Sequence, residues 1–158
     1  DKVLETSIGA GANIPPLTKD AKYIGVDISL EMLRACQKYH LVKPYDLTLV
    51  HANAEQLPFK DNVFDVVFHV GGINFFTDPK QAVKEMVRVA KPLALLLICD
   101  ETQKEIDSWY CKLPFVKKYF QNMKPVSPSL DLIPEDMLER KISYKWDETM
   151  YVITFLKP

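Results

Sequence analysis

The chain has 158 residues, of which 47% are hydrophobic and 26% charged, as in an ordinary soluble protein with one domain. Its net charge of −1 and the absence of any Lys/Arg-rich run argue against a nucleic-acid partner, and its longest apolar runs are too short to cross a bilayer. Three cysteines without a CxxC pair (Cys36, Cys99 and Cys111) favour neither a disulfide framework nor a metal site. We therefore expect reduced thiols and a cytoplasmic location.

Short apolar strands alternate with amphipathic helices along the first hundred residues. The pattern predicts strands over residues 1–6, 23–27, 47–51, 64–70 and 93–99, and helices over 30–40 and 79–90. Ser29 is a suitable N-cap for the first helix. Asp78, Pro79 and Gln81 mark the start of the second as N-cap, first helical residue and capping-box partner. This alternation predicts an α/β domain in which helices cover a parallel sheet.

The C-terminal third has a different pattern. We predict a helix over residues 103–123 with a break near Pro114, a proline-rich loop over 124–134 and a short helix over 134–138. Two strand-like runs, 141–146 and 150–156, are joined by a three-residue link, which predicts an antiparallel hairpin at one edge of the sheet. Since there is no internal repeat or linker, residues 1–158 are predicted to form a single domain.

A small-residue turn follows the first strand and contains Gly9 and Gly11. Glycines between a strand and a helix let a ligand approach the backbone closely, because they carry no Cβ. The dinucleotide fingerprint GxGxxG needs a third glycine where Ile14 stands, and the Pro15–Pro16 pair shortens any helix that follows. A pyrophosphate is therefore a weaker interpretation than a smaller ligand, and a plain corner in the chain is an open alternative.

Asp27 ends the second strand, about twenty residues after the glycine turn. An acid at this place can accept hydrogen bonds from both hydroxyls of a ribose. It can also cap the following helix together with Ser29, and both roles can hold at once. The turn and Asp27 together indicate a nucleoside-bearing ligand at the carboxyl ends of the strands.

Four stretches, in order, resemble the motifs of class I S-adenosylmethionine-dependent methyltransferases, in the branch of methyltransferase type 11 and ubiquinone/menaquinone-biosynthesis enzymes. They are VLETSIGAGAN, GVDISLEML, ANAEQLPFKDNVFDVVF and FFTDPKQAVKEMVRVAKP. The closing hairpin YKWDETMYVITFLKP also resembles that family's last strands. The resemblance implies a Rossmann-like, mostly parallel seven-stranded sheet with an antiparallel C-terminal hairpin and helices on both faces. It further implies that an N-terminal helical segment of the family is missing here.

The resemblance also implies a set of cofactor-binding residues for S-adenosylmethionine. Glu5, Gly9 and Gly11 would surround its methionine part, and Asp27 would accept from the ribose hydroxyls. Ile28 and Met32 would flank the adenine, and Asn53 and Ala54 would hydrogen-bond to its edge. His69 and Val70 would lie beneath the sulfonium. No metal is implied.

Three positions depart from the family pattern. Ser7 stands where a first glycine is usual, and Leu93 stands where a glycine-containing turn is common. Asn53 replaces a more usual Asp; its amide oxygen still accepts a hydrogen bond but without charge assistance. Cofactor binding is therefore expected to survive and to be somewhat weaker.

The sequence indicates catalytic residues less clearly than cofactor-binding residues. His69 and Asp100 stand at the ends of predicted strands and are candidates for a general base, with packing of His69 and helix capping by Asp100 as alternatives. The acceptor pocket is expected to be apolar and to draw on aromatic residues, namely Phe75, Phe76, Trp109, Tyr110, Phe115, Tyr119 and Phe120. After residue 108 the same aromatics can instead serve as core contacts of their own helix.

Three hypotheses for the function follow. The favoured one is a methyltransferase that moves a methyl group to a small hydrophobic or aromatic acceptor by in-line displacement. A nicotinamide-dependent oxidoreductase is disfavoured by the missing third glycine and by the closing hairpin. A non-catalytic protein of the methyltransferase fold, which binds the cofactor or a partner, is the remaining alternative.

Overall fold

The computed structural model describes residues 1–14, 20–40, 45–108, 126 and 128–158. Seven strands form one sheet: β1 (Lys2–Thr6), β2 (Lys22–Asp27), β3 (Asp46–His51), β4 (Phe64–Val70), β5 (Ala90–Glu101), β6 (Leu138–Lys145) and β7 (Met150–Leu156). Their order in the sheet is β3-β2-β1-β4-β5-β7-β6. The first five strands pair in parallel, and β7 lies antiparallel between β5 and β6. The predicted mostly parallel, Rossmann-like sheet with a C-terminal antiparallel pair is confirmed.

Two helices cover opposite faces of this sheet. On one face, helix α1 (Leu30–His40) buries Leu33 and Cys36 against Ile8 and the half-buried side chains of β3. On the other, helix α2 (Pro79–Val89) buries Met86 and its apolar neighbours in the main core, which includes Leu4, Val67 and Leu96. We call these the α1 face and the α2 face. Because strand side chains alternate, neighbouring residues of β1 and β4 serve different faces.

The helix starts follow the predicted capping residues with one change. The Ser29 hydroxyl accepts from Met32 N–H at 3.3 Å, and the Asp78 side chain accepts from Gln81 N–H at 3.0 Å. The capping box at α2 is only half formed, because Asp78 N–H donates to Glu55 and not to Gln81. Glu55 thus takes the place of the usual intrahelical partner.

Two predicted boundaries in the middle and at the end of the chain are wrong. Strand β5 begins at Ala90 and contains a register shift, at which Leu93 adopts φ +61° and donates its N–H to Lys157. Residues 134–138 form a turn and not a helix: Met137 N–H bonds to Pro134 O at 3.2 Å, and β6 starts at the next residue. The single turn buries Met137, and because β6 begins directly after it, the turn is not extended into a helix.

The region between β5 and β6 is described in part. A third helix, α3 (Gln103–Ser108), matches the first residues of the helix predicted over 103–123, and a 3₁₀ turn spans Leu130–Leu132. The predicted break near Pro114 and the rest of that helix lie outside the described residues. None of the described helices is long and apolar enough to cross a bilayer.

Candidate functional site

The glycine turn after β1 and the end of β2 are joined directly. Gly9 and Gly11 have φ of +55° and +80°, and Gly9 N–H donates to Asp27 Oδ2 at 2.8 Å. The other carboxylate oxygen, Asp27 Oδ1, accepts from Ser29 N–H at 2.8 Å. The Asp27 carboxylate therefore shapes both the turn and the start of α1. Each oxygen has a second lone pair with which to accept from a ligand hydroxyl.

Glu5 lies at the carboxyl end of β1 and is 3% exposed. Its Oε1 accepts from Asn13 Nδ2 at 2.7 Å, whereas its Oε2 has no hydrogen-bond partner among the residues that the structure describes. Burial, with a smaller contribution from the charge of Asp27, raises the pKa of Glu5 to about 7, although the Asn13 hydrogen bond opposes this. A buried carboxyl oxygen without a partner is suited to bind a cationic amino group.

Two neighbours of the glycine turn carry unusual backbone constraints. Ser7 adopts φ +62°, a left-handed conformation that favours glycine. Gly25 in β2 lies under the Ile8 side chain, and a Cβ there would overlap it. The absence of a side chain at Gly25 thus lets the turn pack closely on the sheet.

A cavity of about 150 Å³ lies beside this turn at the carboxyl edge of the sheet. Its lining residues come from the ends of β1 and β2, the segment after β3 and the segment after β4, namely Ser7, Val26, Asp27, Ile28, Ala52, Asn53, Ala54, Glu55, Phe75, Phe76 and Thr77. Asn53 Oδ1 accepts from Glu55 N–H at 2.8 Å, which fixes the loop that carries Asn53 and Ala54. Met32 is half exposed and is not among the lining residues.

His69 does not reach this cavity. Its side chain is fully buried on the α2 face, with Nδ1 at 3.1 Å from Thr6 Oγ1 and the ring edge-on to Phe76 at 5.2 Å. Burial lowers the pKa of His69, although the negative charge of Asp100 opposes the shift. Enclosure of the ring favours the packing role of His69 over that of a general base. Val70 points to the α1 face and packs beside Phe68.

Asp100 is 1% exposed, and its hydrogen bonds to other described residues run to uncharged donors. Oδ1 accepts from Gly72 N–H and Glu101 N–H at 3.1 and 2.9 Å, and Oδ2 accepts from Ile73 N–H and Asn74 Nδ2 at 2.9 and 3.2 Å. Asp100 therefore caps the 3₁₀ turn Ile73–Phe75 after β4 and not the helix that follows it. This arrangement leaves neither oxygen directed at a substrate.

The predicted acceptor aromatics divide into two groups. Phe75 and Phe76 line the cavity and face the Asn53 loop. The other five, Trp109, Tyr110, Phe115, Tyr119 and Phe120, lie outside the described residues. Three residues that the sequence did not single out are part of the site: Asn13, Gly25 and Glu55. Only Gly25 carried a signal, as a glycine inside an apolar strand.

Similar proteins share both the motifs and the fold. The family model described as a methyltransferase domain matches residues 4–98. A phthiotriol/phenolphthiotriol dimycocerosates methyltransferase of Mycobacterium ulcerans is 34% identical over 116 residues, which cover 71% of this chain and 42% of that protein. A demethylmenaquinone methyltransferase of Lysinibacillus sphaericus is 38% identical over 96 residues, covering 60% and 40%. The chain thus spans about two fifths of the length of these curated relatives.

A solved structure from Thermotoga maritima has the same architecture. It is described as a SAM-dependent methyltransferase and possible histamine N-methyltransferase, and it superposes with a TM-score of 0.75 at 23% identity over 99% of this chain and 82% of that one. This likeness establishes the fold, while the family match extends over more than half of the chain. The chain belongs to the methyltransferase domain family, whose cofactor is S-adenosylmethionine.

Proposed function

We propose that this chain binds S-adenosylmethionine at the carboxyl edge of its sheet and transfers the methyl group to a small hydrophobic or aromatic acceptor. The observation that carries the proposal is the buried Glu5 carboxyl, whose Oε2 lacks a partner among the described residues beside the Gly9–Gly11 turn. An ammonium group of the cofactor would satisfy that oxygen. Asp27 would accept from the ribose, and Asn53 and Ala54 would face the adenine inside the cavity.

The protein's part in such a reaction is binding and orientation. When bound, S-adenosylmethionine supplies an electrophilic methyl group with a neutral thioether as leaving group, so that an acceptor can attack in line. Fixing the acceptor in that line is worth up to about 7–11 kcal/mol in favourable intramolecular systems. Because His69 is enclosed and Asp100 is held by four donors, the arrangement favours an acceptor atom that needs no protein base.

An apolar acceptor is supported by the named relatives. The two curated relatives are named for phthiotriol dimycocerosates and demethylmenaquinone as substrates, and the hydrophobic class is what we carry over to this chain.

Two measurements test the proposal. Calorimetric titration with S-adenosylmethionine, S-adenosylhomocysteine and NADH is expected to show binding of the first two only; binding of NADH alone would overturn it. Release of S-adenosylhomocysteine is then followed with acceptor pairs that differ only in an apolar ring or chain, and the more apolar member is expected to react faster. Tight cofactor binding without turnover of any of these acceptors would favour the non-catalytic alternative.

A further inference from the structure

One side of the cavity is a short segment between β4 and α2. We call residues 72–78 the cavity wall; within it, Phe75, Phe76 and Thr77 face the loop of Asn53 to Glu55. The wall contains no strand and its only regular element is the 3₁₀ turn Ile73–Phe75. Its position therefore depends on side chains that reach it from elsewhere in the fold.

The first end of the wall is held by Asp100. Gly71 and Gly72 leave β4 with φ of +76° and +90°, which turns the chain sharply over the end of β5. There the buried carboxylate accepts from Gly72 N–H, Ile73 N–H and the Asn74 side chain. Hydrogen bonds to a carboxylate are stronger than those between neutral groups, so this end of the wall is tied to β5.

The second end is held by Glu55, from the opposite side of the cavity. One of its oxygens, Oε1, accepts from Thr77 N–H at 2.8 Å and from Asp78 N–H at 3.1 Å. Glu55 follows Ala54 directly in the chain, and its own N–H is bonded to Asn53. The same carboxylate therefore links the loop that would face the adenine to the wall opposite it.

Packing supports the wall between these two ends. Ile73 is 1% exposed and belongs to the main core, and the Phe76 ring lies edge-on to His69. Both contacts lie on the α2 face of the sheet. The hydrogen bonds of Glu55, by contrast, cross the cavity, and those of Asp100 join the wall to β5.

We propose that Asp100 and Glu55 are a pair of positioning residues that hold the cavity wall at its two ends and thereby set the affinity for the adenosine part of the cofactor. The inference rests on the proposed cofactor site. Asp100 then influences cofactor binding indirectly, by positioning the wall. Glu55 belongs to the loop on one side of the cavity and bonds to the wall on the other side.

The test uses two ligands that share adenosine and differ at the amino-acid end, S-adenosylhomocysteine and 5′-methylthioadenosine. We expect Asp100→Asn and Glu55→Ala each to weaken both ligands by the same factor, about tenfold or more. Glu55→Gln keeps Oε1 as an acceptor and is expected to recover most of the affinity lost in Glu55→Ala. Glu5→Gln serves as the contrast, because it is expected to weaken S-adenosylhomocysteine alone.

Hydrogen exchange on the cofactor-free protein gives an independent readout. We expect faster exchange at Gly72 and Ile73 in Asp100→Asn, and at Thr77 and Asp78 in Glu55→Ala. Glu135 is an exposed acid outside the cavity lining, and Glu135→Ala, as the control, is expected to leave exchange at these amides unchanged. If Asp100→Asn fails to fold, the Glu55 pair alone decides. Unaltered exchange and affinity in the variants overturn the inference, whereas failure of the wild-type protein to bind either ligand overturns the proposed function.

Discussion

Replacing Glu5 by Gln removes the titrating group from the cofactor site with little change in shape. The pKa of Glu5 is raised from its ordinary value of 4.5 to about 7, so the folded protein holds this proton more tightly than the unfolded chain does. At 1.36 kcal/mol per pKa unit the shift corresponds to about 3 kcal/mol. This contribution is fully present below pH 4.5 and is lost as the pH rises to about 7, because only the folded state then still binds the proton.

The expected result is a pH-dependent difference between the wild type and Glu5→Gln. Near pH 4 the two proteins unfold with similar free energies, and by pH 8 the variant is the more stable by up to about 3 kcal/mol. Urea unfolding measured in parallel from pH 4 to pH 8 isolates this difference, since all other groups titrate alike in both proteins. Parallel stability curves across that range would refute the burial argument.

The same substitution acts in the opposite direction on the cofactor. Only the ionised carboxylate attracts an ammonium group, so the wild-type affinity for S-adenosylmethionine is expected to rise with pH until Glu5 is ionised, near pH 7. In Glu5→Gln we expect affinity weaker by roughly tenfold or more and a loss of this pH dependence. Calorimetry in buffers of different ionisation enthalpy would detect the released proton directly. An affinity equal to that of the wild type would remove Glu5 from the cofactor site.

Four further substitutions test the backbone and the supporting contacts. Ser7→Gly and Leu93→Gly relieve left-handed backbone, and each is expected to stabilise the protein by roughly 0.5–1 kcal/mol in urea unfolding. A loss of stability in both would contradict this explanation. Gly25→Ala places a methyl group against Ile8, and we expect the free energy of unfolding to fall by about 1–3 kcal/mol and cofactor binding to weaken. Unchanged stability and affinity would show that the turn adjusts to the methyl group without cost. The Arg88 guanidinium donates to Glu85 and to the carbonyl oxygens of residues 57 and 59, and Arg88→Lys is expected to lower the free energy of unfolding by about 1–3 kcal/mol. A loss within about 0.5 kcal/mol, roughly the error of such measurements, would show that these hydrogen bonds contribute little to stability.

Elements with a local signal were predictable from the sequence. Strand β4 is rich in Val and Phe, and α2 begins at an Asp–Pro pair that marks a helix start on its own. The resemblance placed the glycine turn, Asp27 and Asn53 in order along the chain, and the structure brings these segments to one edge of the sheet. The ligand roles of these residues stay predictions.

Contacts between distant residues left no such signal. Asp100 meets the wall 26 to 28 positions earlier in the chain, and Glu55 meets it 22 positions later, so neither pair creates a periodic pattern. The side of His69 was equally hidden, because alternation groups His69 with Asp65 and Val67 but does not show which helix covers that face. The helix over 134–138 was predicted from a run too short to distinguish a helix from a turn.

The two ends of the cavity wall have a consequence for how the protein is made. Glu55 precedes the wall and Asp100 follows it, so the cavity is complete only after three successive strands, β3, β4 and β5, have taken their places. During synthesis, a chain that has not yet extended past residue 100 lacks one of the two attachments. A ligand that stabilises folded protein by mass action therefore meets a complete cavity only after residue 100 has been added and β5 has joined the sheet.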